Sequence, residues 1–360
     1  MTDTSARPGP DALGVMVDLA GCPNRCRHCW LGAQPNGQLT TDQMRAIAAE
    51  FKDWRDSSGR GIRELAFFSW WREPDYCDDY RELWLLEQEL SSPGCAQRFE
   101  LLSTWRLARD PTYASWAATL PPKTCQISFF GMQANTDWGM RRRGAWHDQL
   151  LATERCLEVG IAPRWQLFVT KRCLDDLGAF AALVKRLELA ERCRAIGQEF
   201  VLFMGSITPE SSAYALEPLR LEAADLARIP PELEAMCREG LHPLGQPEAV
   251  WLPELAADPH PPDIWPPKPA LAVNAKLDVY PNVAEPAPWW RLGNLQHDGV
   301  AGVMQTYCEE MTEGMRILRE LPVSALARRY GQPASTRLYT RSDLIARWLH
   351  QWGAEHSTVA

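Results

Sequence analysis

From residue 13 to about 206, short apolar runs alternate with amphipathic stretches of helical period. A strand buried on both faces needs a helix to cover it, so this rhythm commits the chain to repeated βα units around a parallel sheet. The runs predict strands at Gly14 to Leu19, Ile62 to Ser69, Arg98 to Thr104, Cys125 to Phe130, Arg164 to Thr170 and Phe200 to Gly205. Helices are expected at Thr41 to Ser57, Asp78 to Leu90, Pro111 to Ala118, Ala145 to Val159 and Asp175 to Leu189. Thr40-Thr41-Asp42-Gln43 has the Thr-x-x-Gln form of a capping box at the start of the first of these. After residue 206 the rhythm stops, and the proline-dense stretch from His242 to Pro269 reads as an extended connector. Beyond it, Leu271 to Tyr280 reads as a small hairpin, Val300 to Leu321 as a helix and Ser342 to Trp352 as a terminal helix. The expected organisation is a leader over 1–12, an α/β core over 13–206, a connector over 207–270 and a C-terminal extension over 271–360.

Composition narrows the class. A chain of 360 residues that is 46% apolar and 23% charged is an ordinary globular protein, which excludes disorder, collagen and a small disulfide scaffold. No window approaches eighteen consecutive apolar residues and Met1 to Pro10 is polar, so neither a membrane span nor a secretory signal is read, and a cytoplasmic location is expected. A net charge of -8 argues against a broad polyanion-binding surface, hence against nucleic acid or membrane as partner. Eleven cysteines in such a chain are expected to remain thiols, so a tight group of them reads as metal-binding or catalytic. The 16 tryptophans are scattered and read mostly as packing, with a few as pocket walls.

One such group exists. Gly21-Cys22-Pro23-Asn24-Arg25-Cys26-Arg27-His28-Cys29-Trp30 spaces three cysteines CxxxCxxC directly after the first expected strand. In parallel βα architectures the loops at the carboxyl ends of strands form the active-site rim, which is where these thiols are expected. Tetrahedral sulfur coordination suits zinc or an iron–sulfur cluster. A zinc site needs a fourth ligand, His28 or a distant cysteine, whereas a cubane on three cysteines leaves one iron open.

The spacing and its place in the chain resemble the radical S-adenosylmethionine (SAM) superfamily, over roughly residues 13 to 206. The resemblance implies a partial (β/α)6 TIM-like barrel and a [4Fe-4S] cluster on Cys22, Cys26 and Cys29. It implies a SAM molecule chelated to the open iron and cleaved reductively to a 5′-deoxyadenosyl radical. It places His28 beside the adenine and Glu73, in Trp70-Trp71-Arg72-Glu73-Pro74, on the SAM amino group. Two glycines of the family's motif are replaced here by Trp71 and Arg72. By the same resemblance Thr104, in Ser103-Thr104-Trp105-Arg106, and Ser128, in Ile127-Ser128-Phe129-Phe130-Gly131, line the ligand, and Arg143 of Met140-Arg141-Arg142-Arg143-Gly144 faces the SAM carboxylate.

Asn274 to Asn282 and Leu292-Gly293-Asn294-Leu295 are similar to the C-terminal extension of the SPASM/twitch subgroup, with Asn282 standing where that subgroup places a cysteine. This implies an extension without cluster ligands that caps the barrel mouth, a single cluster for the whole chain, and Trp289 and Trp290 as pocket walls or core. The implied partners are a small-molecule or peptide substrate, in natural-product or cofactor maturation, and a flavodoxin or ferredoxin electron donor docking on Arg25 and Arg27. Two other readings stand beside this one: cleavage of another carbon–sulfur bond with aminocarboxypropyl transfer, and a non-enzymatic iron–sulfur or zinc protein.

Overall fold

The computed structural model describes residues 9–17, 22–29, 37–69, 73, 75–96, 102–238, 244–262, 268–281, 286–309 and 312–356. The first half runs β1 (Ala12–Val17), α1 (Thr41–Asp53), β2 (Glu64–Ser69), α2 (Tyr80–Leu90), α3 (Thr104–Arg109), α4 (Tyr113–Ala117), β3 (Thr124–Phe129), α5 (Gln133–Met140), α6 (Ala145–Glu158), β4 (Ala162–Phe168), α7 (Leu177–Arg186), α8 (Leu189–Ala195) and β5 (Val201–Gly205). The second runs α9 (Pro231–Met236), β6 (Gln246–Pro247), α10 (Glu248–Leu255), β7 (Ala270–Val273), β8 (Asp278–Pro281), β9 (Gly293–Asn294), α11 (Leu295–Cys308), α12 (Glu313–Glu320), α13 (Val323–Tyr330), β10 (Leu338–Tyr339) and α14 (Arg341–His356).

This is an α/β fold with mixed sheets. One sheet has the order β2-β1-β7-β8-β9 and another β3-β4-β5, with β6 and β10 forming a short antiparallel pair. The β1–β2, β3–β4 and β4–β5 pairs are parallel, as the βα rhythm requires. No closed barrel is seen among the described residues. The strand expected at Arg98 to Thr104 lies at 98–101 outside them, and its far end is corrected: Ser103 caps α3, and Thr104 is the first residue of that helix. The hydroxyl of Ser103 accepts the Arg106 amide at 3.1 Å, which competes with strand pairing and starts a helix instead.

Alternation along the strands splits their side chains into two layers. Leu13, Val15, Val17, Leu65 and Phe67 join a core under α1 and α2, and Cys125, Ile127, Phe129, Trp165 and Leu167 join a second under α6 and α7. The opposite faces carry Met16, Ala66 and Phe68 on the first sheet, and Gln126, Ser128, Arg164 and Gln166 on the second. That second inner face is polar and internally bonded: Gln126 Nε2 donates to Gln166 Oε1 at 2.7 Å, and Arg164 donates to Gln126 Oε1 at 2.5 Å.

The hairpin β7–β8 forms as expected, and its β7 strand adds in parallel to the free edge of β1. Leu271, Val273, Val303, Leu344 and Trp348 therefore share one core with Leu13, Val15 and Phe51. The Leu-Gly-Asn stretch has a structural use here. Asn294 donates to the Lys276 carbonyl at 2.8 Å and to Asp278 at 3.0 Å, tying the turn of the hairpin to the start of α11. Trp290 is buried and Trp289 packs on Gly353, so both belong to packing. Asn282 lies outside the described residues.

Three boundaries differ from expectation. Helix α1 begins on the Thr40–Gln43 capping box but stops at Asp53, because Asp56 accepts the Ser58 and Arg60 amides and turns the chain. The connector over 207–270 is not bare: Pro231 opens α9, a place where its missing amide costs nothing, and α10 lies within the proline-dense stretch itself. The single helix expected from Val300 to Leu321 is two: α11 is broken at Gly299 (φ 61°), so its regular part starts at Val300 as expected, but it ends at Cys308 and the Thr312 hydroxyl accepts the Met315 amide to start α12.

Trp348, on the last helix, is fully buried in the same apolar core as the first strands. Trp348→Ala is expected to lower the unfolding free energy by about 3–5 kcal/mol, in one transition that includes the N-terminal strands. A separate early transition of the C-terminal region, by denaturant titration at two spectroscopic probes, contradicts the shared core.

Candidate functional site: a cysteine loop docked on the rim of the second sheet

Residues 22–29 leave β1 and dock on the far side of the rim. Arg25 N donates to Met140 O at 3.2 Å and Arg27 N to Gly139 O at 2.8 Å, so the loop bonds to the last turn of α5 by main chain alone. Two side chains reinforce the joint: Arg27 Nε donates to Trp138 O at 3.1 Å, and Arg142 Nε donates to Asn24 Oδ1 at 2.6 Å. Gly139 is required at this spot, because a Cβ there meets the Phe130 ring at 2.4 Å.

Docking sets each residue of the loop. The His28 ring sits 5.0 Å from Phe130 and 4.5 Å from Phe168, the residues at the carboxyl ends of β3 and β4, which themselves stack at 5.2 Å. Burial there lowers its pKa to about 4, so the imidazole is neutral. Its Nδ1 is buried with no hydrogen-bond partner among the described residues. Cys29 packs against Met16 and Phe68 on the inner face of the first sheet, and Cys26 packs against the Phe130–Phe168 group on the second. The loop thus bridges the two inner faces.

No three His, Cys, Asp or Glu side chains among the described residues form a closed ligand set. The thiols are nonetheless neighbours. Burial pushes the Cys26 thiol well above its ordinary range, and the nearness of Cys22, Cys29 and Glu73 pushes it further. A thiol whose ionisation is opposed by two neighbouring thiols belongs to a donor set that a soft cation relieves, and thiolates with a spare neutral ring nitrogen are the chemistry of iron–sulfur and zinc sites. The residues fit such a group.

Glu73 faces the same thiols from the loop after β2. It is buried; its Oε1 accepts Ser103 Oγ at 2.7 Å and the Trp105 amide at 3.1 Å, which leaves Oε2 without a hydrogen-bond partner among the described residues. Burial raises its pKa, partly offset by those two donors and by Arg142. Trp70, Trp71, Arg72 and Pro74 lie outside the described residues.

The other expected site residues divide. Thr104 stands half-buried between Ser103 and Trp105, the two residues that hold Glu73. Ser128 is half-buried on the inner face of β3, its hydroxyl 3.5 Å from Gln166 Oε1. Arg143 is exposed, and the guanidinium that turns inward in this run is Arg142, bonded to Asn24 and paired with Asp148 at 2.5 Å. The turn decides this: Arg141 at φ 51° and Gly144 at φ 84° rotate Arg142 inward between them. Sequence reading missed Ser103, Asn24, Phe168 and Arg142. A Ser at a helix start was a usable signal for Ser103, whereas nothing in three successive arginines separates Arg142 from its neighbours.

No protein-family model and no curated protein matches the chain. Solved structures do. Native anSMEcpe with bound AdoMet, an anaerobic sulfatase-maturating radical SAM enzyme, aligns over 97% of this chain and 100% of its own with a TM-score of 0.54 at 11% identity. Two structures of the same enzyme with bound AdoMet and a peptide align at a TM-score of 0.52, one over 97% of this chain and 100% of its own at 11% identity, the other over 96% and 99% at 12%. The chain shares the fold of these structures. The match runs through the C-terminal extension as well as the βα units, since nearly the whole of both chains aligns.

If the Arg142–Asn24 bond holds the loop down, Arg142→Ala is expected to speed alkylation of Cys26 in metal-free protein roughly tenfold, the value of a lost charge-assisted hydrogen bond. Peptide mapping after iodoacetamide checks it, and an unchanged rate removes Arg142 from the joint.

Proposed function

We propose that the chain is a radical SAM enzyme in which Cys22, Cys26 and Cys29 hold a [4Fe-4S] cluster and SAM lies between the cysteine loop and the rim of β3 and β4. The observation that carries this reading is the docking of the CxxxCxxC loop on the rim of this fold, which sets the His28 ring between Phe130 and Phe168 and Cys26 near a buried Glu73 whose Oε2 has no hydrogen-bond partner among the described residues. When bound, the cluster supplies one electron to SAM, giving methionine and a 5′-deoxyadenosyl radical that takes hydrogen from a substrate.

The chain's own residues then have distinct tasks. Glu73 Oε2 accepts hydrogen bonds from the SAM ammonium, a charge-assisted contact made stronger by burial. Arg142 or Arg143 offers its guanidinium to the carboxylate. His28, wedged between two phenyl rings, offers an apolar ring face to the adenine. Thr104 and Ser128 border the remainder of the ligand. The two sheets are taken as arcs of one partial (β/α)6 barrel over 13–206, followed by the connector to 270 and a SPASM/twitch-like extension over 271–360 that carries no cluster of its own.

The substrate is a small molecule or a peptide, in natural-product or cofactor maturation; the AdoMet-bound and peptide-bound structures of anSMEcpe support a peptide. The electron comes from a flavodoxin or ferredoxin in the cytoplasm. Arg25, Arg27, Arg141, Arg143 and Arg172 surround the loop, with Arg27 and Arg172 on the Trp138 ring at 4.5 and 4.7 Å. Among the described residues none of the five is paired with a carboxylate, and Asp137 and Asp176 are occupied by the Met132, Gly144 and Trp146 amides and the Asn135 side chain. A local positive field on a chain of net charge -8 suits an acidic donor.

Cys26→Ala is expected to abolish iron retention after anaerobic reconstitution, and Glu73→Gln to keep the iron while weakening SAM about tenfold. Full iron in a Cys22/Cys26/Cys29 triple-Ala variant overturns the cluster assignment. Arg25→Glu with Arg27→Glu is expected to slow turnover with a protein donor and spare turnover with dithionite; equal slowing with both reductants rejects the docking role.

A further inference from the structure

The resemblance in sequence breaks down where glycines of the SAM-amino motif give way to Trp71 and Arg72. Without glycines the chain must hold the Glu73 loop by other means, and the structure contains a dedicated clamp. Arg106 lies on α3 with its side chain almost wholly buried. Its guanidinium donates to three successive backbone carbonyls of that loop: to Asp75 through Nε, and to Tyr76 at 2.9 Å and Cys77 at 2.5 Å through Nη2. The same Nη2 reaches Asp78 at 3.2 Å, Nη1 approaches Asp110 at 3.7 Å, and the plane lies 4.6 Å from the Tyr80 ring.

A second contact joins the same two segments. Tyr113 OH donates to the Asp75 carboxylate and accepts the Ser103 amide at 3.0 Å. Ser103 in turn spends its hydroxyl hydrogen on Glu73 Oε1 while accepting the Arg106 amide. Tyr76 N donates to Glu73 O at 3.1 Å, so the first carbonyl turn of the clamped loop begins at Glu73 itself. Among the described residues the donors to the Glu73 carboxylate are thus Ser103 and Trp105, and the carbonyls of Asp75, Tyr76 and Cys77 are fixed by Arg106, the next residue along the same helix. A planar, five-donor side chain is the one residue type that can serve three carbonyls and a carboxylate at once.

We propose that Arg106, assisted by Tyr113, is the positioning residue that aims Glu73 Oε2 at the SAM ammonium, in the role that close backbone packing at glycines fills in the motif this stretch resembles. The inference rests on the reading of Glu73 given above. Arg106 touches neither SAM nor the thiols; it acts through Glu73. Its removal lets the 75–78 turn relax and the carboxylate swing, so that SAM loses the Glu73 contact while the cysteine loop, held on α5, keeps its place.

A double-mutant cycle on anaerobically reconstituted protein separates this from ordinary destabilisation, with SAM affinity by equilibrium dialysis and iron content as the two readouts. Arg106→Gln is expected to weaken SAM about tenfold and Tyr113→Phe about threefold, with iron unchanged, and both losses should nearly vanish in a Glu73→Gln background. Arg106→Lys, which keeps the charge but not the fork, is expected to fall between wild type and Arg106→Gln and serves if the latter fails to fold. Losses of the same size with and without the Glu73 carboxylate, or no loss at all, overturn the positioning role while leaving the SAM site standing. Failure of the iron-loaded wild type to bind SAM overturns the site itself.

Discussion

Two main-chain hydrogen bonds, Arg25 N to Met140 O and Arg27 N to Gly139 O, carry the cysteine loop from the strand that generates it to the opposite sheet. Main-chain bonds do not vary with side-chain rotamer, so they fix the register of the loop against α5 and with it the heights of Cys26, His28 and Cys29. The joint also accounts for Gly139 and for the inward turn of Arg142, which would otherwise look like local accidents. With the loop docked, the inner faces of the two sheets acquire a common lid.

The two inner faces are unlike. Met16, Ala66 and Phe68 make an apolar wall, whereas Gln126, Ser128, Arg164 and Gln166 make a polar one. Burying polar side chains costs free energy unless they are bonded, and here they are bonded to each other across β3 and β4. The outer faces carry the stability. They put the N-terminal strands and the C-terminal helices in one apolar core, so the extension is joined to the sheet by strand pairing at β1 and by that shared core.

How much of this was legible in the sequence follows from which forces act locally. The βα rhythm, the capping box at Thr40 and the CxxxCxxC loop are local patterns, and the strands and helices they point to lie within a few residues of where the structure puts them. Helix α5 was not legible: Gln133 to Met140 has no side-chain N-cap hydrogen bond and little apolar face, and the cysteine loop and Phe130 pack against its end. The helix at Thr104 was hidden under an apolar run that reads as strand. Arg106 was likewise invisible, since a guanidinium that serves carbonyls thirty positions earlier leaves no periodic trace. The cysteine loop was legible as a motif, while the side-chain partners around it, Asn24 with Arg142 and Glu73 with Ser103, were set by tertiary contact.

The account turns on whether this rim performs reductive SAM chemistry. The most direct measurement is to reconstitute the protein anaerobically with iron and sulfide, add dithionite and SAM, and look for 5′-deoxyadenosine by mass spectrometry. The account predicts that 5′-deoxyadenosine and methionine form in the wild type and that neither forms in the Cys22/Cys26/Cys29 triple-Ala variant. Protein that holds a full cubane and binds SAM, yet yields no 5′-deoxyadenosine above the level of that variant, contradicts it.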